Sequence, residues 1–201
     1  SKPRSKTPED VVAWLASMQA QEFAMAKWAL GLRLKNVHGQ AIENSFNEGR
    51  IIRTHLLRPT WHFVAAKDLR WMLSLTAPRV HKVNKYYYKK FELTNTVFKR
   101  ANGVLVKMLK GGKRLTRKTL NEALRKSRIK AEGLRLSYIF MQAELEGIIC
   151  SGPREGKQFT YALLDERVPA TKALQADEAL AELSRRYFAS RGPATVQDFV
   201  W

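Results

Sequence analysis

Two short groups of polar residues have types and spacings that could do chemistry. In the first, Gln19 and Gln21 flank Ala20, and two residues spaced this way share a face only in an extended segment. An amide accepts and donates hydrogen bonds at once, so this pair could hold a water molecule. Alternatively, both side chains cap the junction between two helices, because a first predicted helix ends near them. The sequence leaves both interpretations open.

The second group consists of Arg58, Thr60 and His62. These residues occupy positions i, i+2 and i+4 of a predicted strand, so their side chains project from one face. A cation, a hydroxyl and an imidazole on one face could bind a phosphate or another anion. The alternative is an ordinary exposed strand face.

Capping residues and apolar spacing predict the elements that position these groups. Thr7 and Pro8 indicate a helix start, because a hydroxyl caps the first turn and proline suits the first helical position. A second apolar helix is predicted over about residues 23–32 and a third over residues 40–47, which Gly49 closes. The glutamine pair therefore lies close to the end of the first helix.

Residues 50–64 change to β-branched, aromatic and alternating side chains. This pattern predicts a strand pair with Pro59 at an edge or a bulge, because proline cannot donate to a strand ladder. Three helices followed by a hairpin is the order of a winged helix. A long helical stretch follows over about residues 67–110, and we expect breaks near Pro78 and near residues 94–96.

The order of helices and hairpin then returns. The predicted elements are a short helix opened by Leu115 and Thr116, a longer helix over residues 134–146, a strand over residues 159–164, a linker over residues 165–175 and a helix over residues 176–190. Thr195, followed by Asp198, is typical of the cap of one more helix.

We therefore expect a mainly α fold with small β-hairpins (α+β), built from tandem winged-helix (helix-turn-helix) units. The expected segments are a first winged helix in residues 1–66, a helical connector in residues 67–111, a second winged helix in residues 112–165, and a linker helix with the start of a third winged helix in residues 166–201. This third unit is expected to be incomplete, as in a fragment of a longer protein, because the sequence stops soon after its first helix begins.

Positive charge is concentrated in the middle of the chain. The 36 Lys and Arg residues exceed the 18 Asp and Glu residues by 18, and residues 79–130 hold 17 basic and 2 acidic residues, a net +15. Such a field attracts a polyanion and makes binding depend on salt, because each neutralised phosphate releases counterions. The alternative is a solvated face without a partner. The residues expected to contact DNA phosphates are Lys113, Arg114, Arg117 and Lys118.

Several classes of enzyme and metalloprotein lack their signatures in this sequence. There is no phosphate-binding loop, dinucleotide-binding glycine fingerprint, zinc-protease motif or serine-nucleophile elbow. The four histidines, which are His38, His55, His62 and His81, lack the spacing of metal ligands. We therefore expect neither a metal nor a cofactor. Cys150 is the only cysteine, which excludes an intramolecular disulfide, and it is expected to be buried.

A membrane location is not expected. No stretch approaches the roughly 20 apolar residues of a membrane span. The N-terminal residues also lack the apolar core of a signal peptide. We therefore expect a cytoplasmic, nucleoid-associated protein without a membrane partner.

Seven segments, in order along nearly the whole chain, carry a family resemblance. They are residues 18–22 (MQAQE), 26–30 (AKWAL), 49–54 (GRIIRT), 57–64 (LRPTWHFV), 146–152 (EGIICSG), 161–164 (YALL) and 186–195 (RYFASRGPAT). Together they resemble the AlkZ-like DNA glycosylases, a bacterial family formerly described as winged-helix DNA-binding proteins. Each motif is moderately specific, and their order makes the resemblance convincing. Pro59 stands where the family often has glycine.

The resemblance implies tandem winged helices around a DNA-binding cleft, and excision of purines alkylated at N7, in some members crosslinked ones. The implied partner is double-stranded DNA that carries alkylation damage. Gln19 and Gln21 match the family's Gln-apolar-Gln catalytic motif, whose second position is Asp in a related branch. Arg58, Thr60 and His62 would then line the same cleft as DNA-contacting or water-orienting neighbours. The alternative function is a non-catalytic winged-helix DNA-binding or regulatory protein.

Overall fold

The computed structural model describes residues 7–35, 39–171 and 173–200. His38, Trp201 and the outer ends of the predicted segments 1–66 and 166–201 lie outside the described residues. The described chain is mainly helical with small antiparallel sheets, which confirms the predicted α+β class.

The first third of the chain forms three helices and a three-stranded sheet. The elements are α1 (Pro8–Trp14), β1 (Ser17–Gln19), α2 (Phe23–Gly31), α3 (Gly39–Asn47), β2 (Ile51–Leu56) and β3 (Arg58–Ala65). Thr7 caps α1 as predicted, because its hydroxyl accepts a hydrogen bond from the Asp10 N–H at 3.3 Å. Gly49 follows α3 with a φ of +82°, a left-handed conformation that ends helices and favours glycine.

β3 is the central strand of this sheet, with β1 on one side and β2 on the other, and both pairings are antiparallel. The register of β2 against β3 is irregular between His55 and Leu56. Pro59 lies beyond the part of β3 that β1 covers, so its missing N–H removes no bond to β1. The sheet packs against α1, α2 and α3 through a core that includes Phe46 and Phe63.

The long helix α4 (Ala66–Lys90) runs through Pro78 without interruption, so the predicted break near this residue is wrong. Proline removes the N–H that would bond the Ser74 carbonyl. Ser74 and Pro78 are both exposed, so water can satisfy that carbonyl. Buried apolar side chains before and after the proline hold both halves of α4 against the rest of the protein.

The second half of the chain repeats the order of helices and strands. Its elements are α5 (Asn95–Leu109), β4 (Leu115–Thr116), α6 (Arg117–Lys126), α7 (Gly133–Leu145), β5 (Ile149–Ser151) and β6 (Thr160–Leu163). β6 is central between β4 and β5, just as β3 is central between β1 and β2. Thr94 caps α5, which confirms the predicted break near residues 94–96. A core around Leu105, Leu120 and Phe140 joins α5, α6 and α7.

The region predicted as a linker over residues 165–175 begins with a helical turn. This turn is α8 (Leu164–Arg167), so the linker prediction is wrong at its start. Contacts that are distant in sequence stabilise α8, because Arg70 pairs with Asp165 at 2.8 Å and Arg167 donates to the Phe46 carbonyl at 2.8 Å. A local sequence pattern contains no sign of such contacts.

The last two helices follow the prediction. α9 (Ala176–Ser190) has the predicted bounds, and α10 (Val196–Val200) follows the Thr195 cap, whose hydroxyl accepts from the Asp198 N–H at 3.2 Å. A core around Leu69 and Met72 joins β2, α4 and α9.

The end of α9 also contacts the segment that leads into β1. Arg186 donates to the Ala13 carbonyl at 3.0 Å and pairs with Asp68 of α4 at 2.7 Å. Arg191 donates to the carbonyls of Leu15 and Ser17 at 2.9 Å and 3.0 Å. The position of β1 therefore depends on residues near the other end of the chain.

Candidate active site

The predicted glutamine pair lies at the end of β1 and directly after it. Gln19 pairs with His62 of β3, and the ladder continues by one bond, because the Ala20 N–H donates to the Trp61 carbonyl at 2.7 Å. Gln19 and Gln21 therefore extend from a strand, and both side chains are exposed. In the described residues no hydrogen bond joins either amide to a helix end, so the capping alternative is wrong.

At Ala20 a side chain, and not the neighbouring strand, binds the backbone carbonyl. Nε of Arg53 donates to the Ala20 carbonyl at 2.9 Å, and Nη2 donates to the Gln21 carbonyl at 3.1 Å. The Trp61 N–H donates to Oε1 of Gln21 at 3.3 Å. The Gln21 amide oxygen thus takes the role that the Ala20 carbonyl has in a regular ladder, and the NH₂ group of Gln21 remains to donate elsewhere.

His62 shares a face of the sheet with Gln19, because the two residues are direct cross-strand partners. Burial lowers the pKa of His62 to about 4; its hydrogen bond with the Thr60 carbonyl opposes the shift, and nearby positive charges, first that of Arg58, add to it. The imidazole is therefore neutral at pH 7. Nδ1 donates to the Thr60 carbonyl at 2.9 Å, so Nε2 carries the lone pair and can accept a hydrogen bond.

The three candidate residues of β3 differ in burial. Arg58 is exposed, Thr60 is half-buried and His62 is only 6% exposed. Oγ1 of Thr60 is buried and has no hydrogen-bond partner within the described part of the chain. This face differs from an ordinary exposed strand face, because burial increases along β3 from Arg58 to His62, the residue that pairs with Gln19.

Sequence reasoning missed Arg53, the residue that bonds the carbonyls of Ala20 and Gln21. Its guanidinium lies 4.3 Å from the ring centroid of Trp61 and 4.7 Å from that of Phe159. Burial lowers the pKa of Arg53, and the charge of Glu144 opposes this shift. The available signal was an arginine inside the otherwise apolar start of β2, since a buried cation requires partners.

Glu144 of α7 was also missed, and it is only 1% exposed. Its Oε2 accepts hydrogen bonds from Nδ1 of His55 at 2.6 Å, the His55 N–H at 2.8 Å and the Thr54 hydroxyl at 3.2 Å. The Ser151 hydroxyl of β5 accepts from the Arg53 N–H at 2.9 Å. Two residues from the second half of the chain therefore fix β2 at Arg53 and at the two residues that follow it.

The candidate DNA-contacting residues lie in the loop before α6 and in its first turn. Lys113, Arg114 and Lys118 are exposed. Arg117 is half-buried, donates to the Ser137 hydroxyl at 2.8 Å and lies 5.5 Å from the Phe140 ring centroid. Of the 17 basic side chains in residues 79–130, all except Arg117 are exposed, so this charge is available to a polyanion.

The remaining candidate features carry little chemistry. Across the described ranges, no group of three or more His, Cys, Asp or Glu side chains is placed to hold a metal ion, and His38 lies outside those ranges. Cys150 is buried as predicted, and burial raises the pKa of its thiol to about 12. None of the helices described for this chain is long and apolar enough to cross a membrane.

Comparison with known proteins identifies relatives over nearly the whole chain. The family model described as DNA glycosylase AlkZ-like matches residues 12–201. An interstrand DNA cross-link repair glycosylase of Streptomyces sahachiroi is 25% identical over 214 aligned residues, which cover 98% of this chain and 55% of that protein. The chain thus spans little more than half the length of this relative.

A solved structure of a related protein has the same fold as this chain. The Streptomyces sahachiroi DNA glycosylase AlkZ superposes on this chain with a TM-score of 0.80 at 22% identity. The superposition covers 98% of this chain and 55% of the AlkZ chain. The mainly helical α+β architecture is therefore shared with a DNA glycosylase.

Proposed function

Because the chain belongs to the AlkZ-like DNA glycosylase family, we propose that it hydrolyses the N-glycosidic bond of N7-alkylated purines in double-stranded DNA. The proposal includes crosslinked purines, since one relative is named as an interstrand DNA cross-link repair glycosylase. The observation that carries the proposal is the pairing of Gln19 with His62, which places an amide of the family's catalytic motif beside a neutral imidazole.

The chemistry of the substrate explains why a site without a strong acid or base is sufficient. Alkylation at N7 makes the purine cationic and weakens its bond to the sugar. When the bond between C1′ and N9 breaks, its electron pair goes to the purine, which leaves neutral. The oxygen of a water molecule then bonds to C1′ and loses a proton. The protein need only place this water and stabilise the cationic sugar of the transition state.

In this proposal Gln19, Gln21 and His62 position the water. The Gln21 oxygen already accepts from the Trp61 N–H, so its NH₂ group donates to the water oxygen. Oε1 of Gln19 and Nε2 of His62 are the acceptors for the water protons. Neither an amide nor an imidazole with a pKa of about 4 is a strong base at pH 7, so the proton passes to solvent after the bond has broken. Undamaged DNA should therefore react very slowly.

We propose that DNA is bound by two winged helices. The repeated strand order, with the third strand central in each sheet, supports winged helices in residues 1–66 and 112–165, with residues 67–111 as a connector and the start of a third unit in residues 166–201. The proposed phosphate contacts come from two places. They are Arg58 and Thr60 on β3, and Lys113, Arg114, Arg117 and Lys118 around the start of α6.

Single-turnover release of N7-methylguanine from a duplex tests the proposal. Gln21→Ala should slow release by about 30- to 1000-fold, which corresponds to about 2–4 kcal/mol of barrier, while DNA affinity and thermal stability change little. Gln19→Ala should have a similar effect. The matched control is Gln40→Ala, which removes an exposed glutamine of α3 whose amide donates to Asn44, and this variant should leave the rate unchanged.

Two results would contradict the proposal. Equal rates for the native protein and Gln21→Ala would remove the glutamines from the chemistry. Duplex binding without any release of the damaged base by the native protein would favour the non-catalytic DNA-binding alternative.

A further inference from the structure

We propose that Arg53 is the positioning residue of the candidate active site: by binding the carbonyls of Ala20 and Gln21, it forces the Gln21 side chain into its working position. The inference rests on the proposed function, because it assigns Gln21 a role in base release. Arg53 itself is not expected to touch the DNA, since its side chain lies within the protein.

Arg53 bonds directly to the backbone that follows β1. Its guanidinium is planar, and two of its nitrogen atoms point toward two consecutive carbonyls, those of Ala20 and Gln21, at 2.9 Å and 3.1 Å. The faces of Trp61 and Phe159 lie within 4.7 Å of its central carbon. A cation that is bonded and stacked in this way has little freedom, because the fork and the rings restrict it together.

The bonds of Arg53 coincide with a change in the ladder between β1 and β3. A regular antiparallel pair of Ala20 and Trp61 would exchange two backbone hydrogen bonds. The bond from Ala20 N–H to the Trp61 carbonyl is present, at 2.7 Å, but the Ala20 carbonyl accepts from Nε of Arg53 in place of the Trp61 N–H. The Trp61 N–H consequently donates to Oε1 of Gln21. Arg53 therefore determines which group of the Gln21 amide faces inward and which remains available to water.

Arg53 is itself held in place by residues of the second half of the chain. Its own backbone N–H donates to the Ser151 hydroxyl of β5, and the next two residues of β2 bond Glu144 of α7. The imidazole of His55 bonds Glu144 and also lies 4.6 Å from the ring of Trp61. The second half of the chain thus fixes β2, and β2 carries the arginine that binds the carbonyls of Ala20 and Gln21.

The experiment measures single-turnover release of N7-methylguanine at saturating enzyme, together with duplex affinity and thermal stability. Arg53→Met should slow release by roughly a hundredfold, and Arg53→Lys by at least tenfold, because an ammonium cannot bond both carbonyls with fixed geometry. Duplex affinity should change by less than about twofold, because phosphate contacts come from other residues. If Arg53→Met fails to fold, Arg53→Lys decides, since it keeps the charge and the apolar stem.

Arg154 supplies a matched control. Its guanidinium lies 5.3 Å from the same Phe159 ring centroid and pairs with Glu43 at 2.6 Å, but it bonds no part of residues 19–21. Arg154→Met therefore removes a comparable stacked cation and should lower stability without slowing release. If Arg154→Met slows release as much as Arg53→Met does, the effect of Arg53 is a general loss of structure and the inference is wrong.

A double-mutant cycle separates positioning from an independent contribution. If Arg53 acts through Gln21, Arg53→Met should not slow Gln21→Ala further by more than about twofold. Multiplying effects would overturn the inference and leave the proposed function intact. Failure of the native protein to release base would instead overturn the proposed function, so the two failures are distinguishable.

Discussion

The depressed pKa of His62 makes the stability of the protein depend on pH in a definite direction. The folded protein binds a proton at His62 only near pH 4, whereas the unfolded chain binds it near the ordinary value of 6.5. Between these values the unfolded state therefore holds more protons than the folded state. Stability from the neutral, buried imidazole is complete above pH 6.5 and is lost as the pH falls toward 4.

The size of this loss follows from the two pKa values. A difference of about 2.5 units corresponds to about 3 kcal/mol at a pH below both values. At pH 5 the unfolded form is almost fully protonated and the folded form is mostly neutral, which gives a loss of about 2 kcal/mol relative to pH 7. For a protein of this size, that lowers the melting temperature by about 4–8 °C.

Urea unfolding of the native protein and His62→Gln at several pH values isolates this contribution. Any constant cost of the substitution cancels when two pH values are compared. The native protein should lose about 2 kcal/mol more than the variant between pH 7 and pH 5, and equal amounts between pH 7 and pH 8. Parallel pH profiles for the two proteins would refute the reasoning, because another group would then carry the pH dependence.

Two further predictions concern the interior and the basic surface. Glu144→Gln should lower the free energy of unfolding by about 2 kcal/mol in urea titrations, because three buried hydrogen bonds lose a charged acceptor. The exposed control Glu146→Gln should change it by less than about 0.5 kcal/mol, and equal losses would contradict the explanation. Reversal of charge at Lys113, Arg114 and Lys118 together should weaken duplex binding regardless of sequence and reduce its salt slope by about 2–3, and an unchanged slope would exclude these phosphate contacts.

Local signals predicted the helices well. Thr7 and Thr195 place their hydroxyls on the N–H groups of the first turn, and the bounds of α9 follow from its apolar spacing. These features depend on residues three or four positions apart. A single sequence contains all the information that determines them.

Features that depend on distant residues were not predictable in the same way. β1 and β4 are two or three residues long and become strands only because a later hairpin pairs with them. Pro78 can stay in a helix because tertiary packing outweighs one lost hydrogen bond. The two carbonyls that Arg53 binds lie 33 and 32 residues earlier in the chain. The partners of Glu144 lie 90 and 89 residues away.

The contacts between α9 and β1 have a consequence for the order in which the protein matures during synthesis. Arg191 is 176 residues from the Leu15 carbonyl that it binds. At about 5–20 residues per second, the ribosome needs roughly 10–35 s to add the intervening chain. Throughout this interval the nascent protein already contains Gln19 and Gln21 but lacks the arginine that holds their strand. The strand that carries these glutamines therefore gains its bonds from Arg191 only late in synthesis, after the intervening chain has been made.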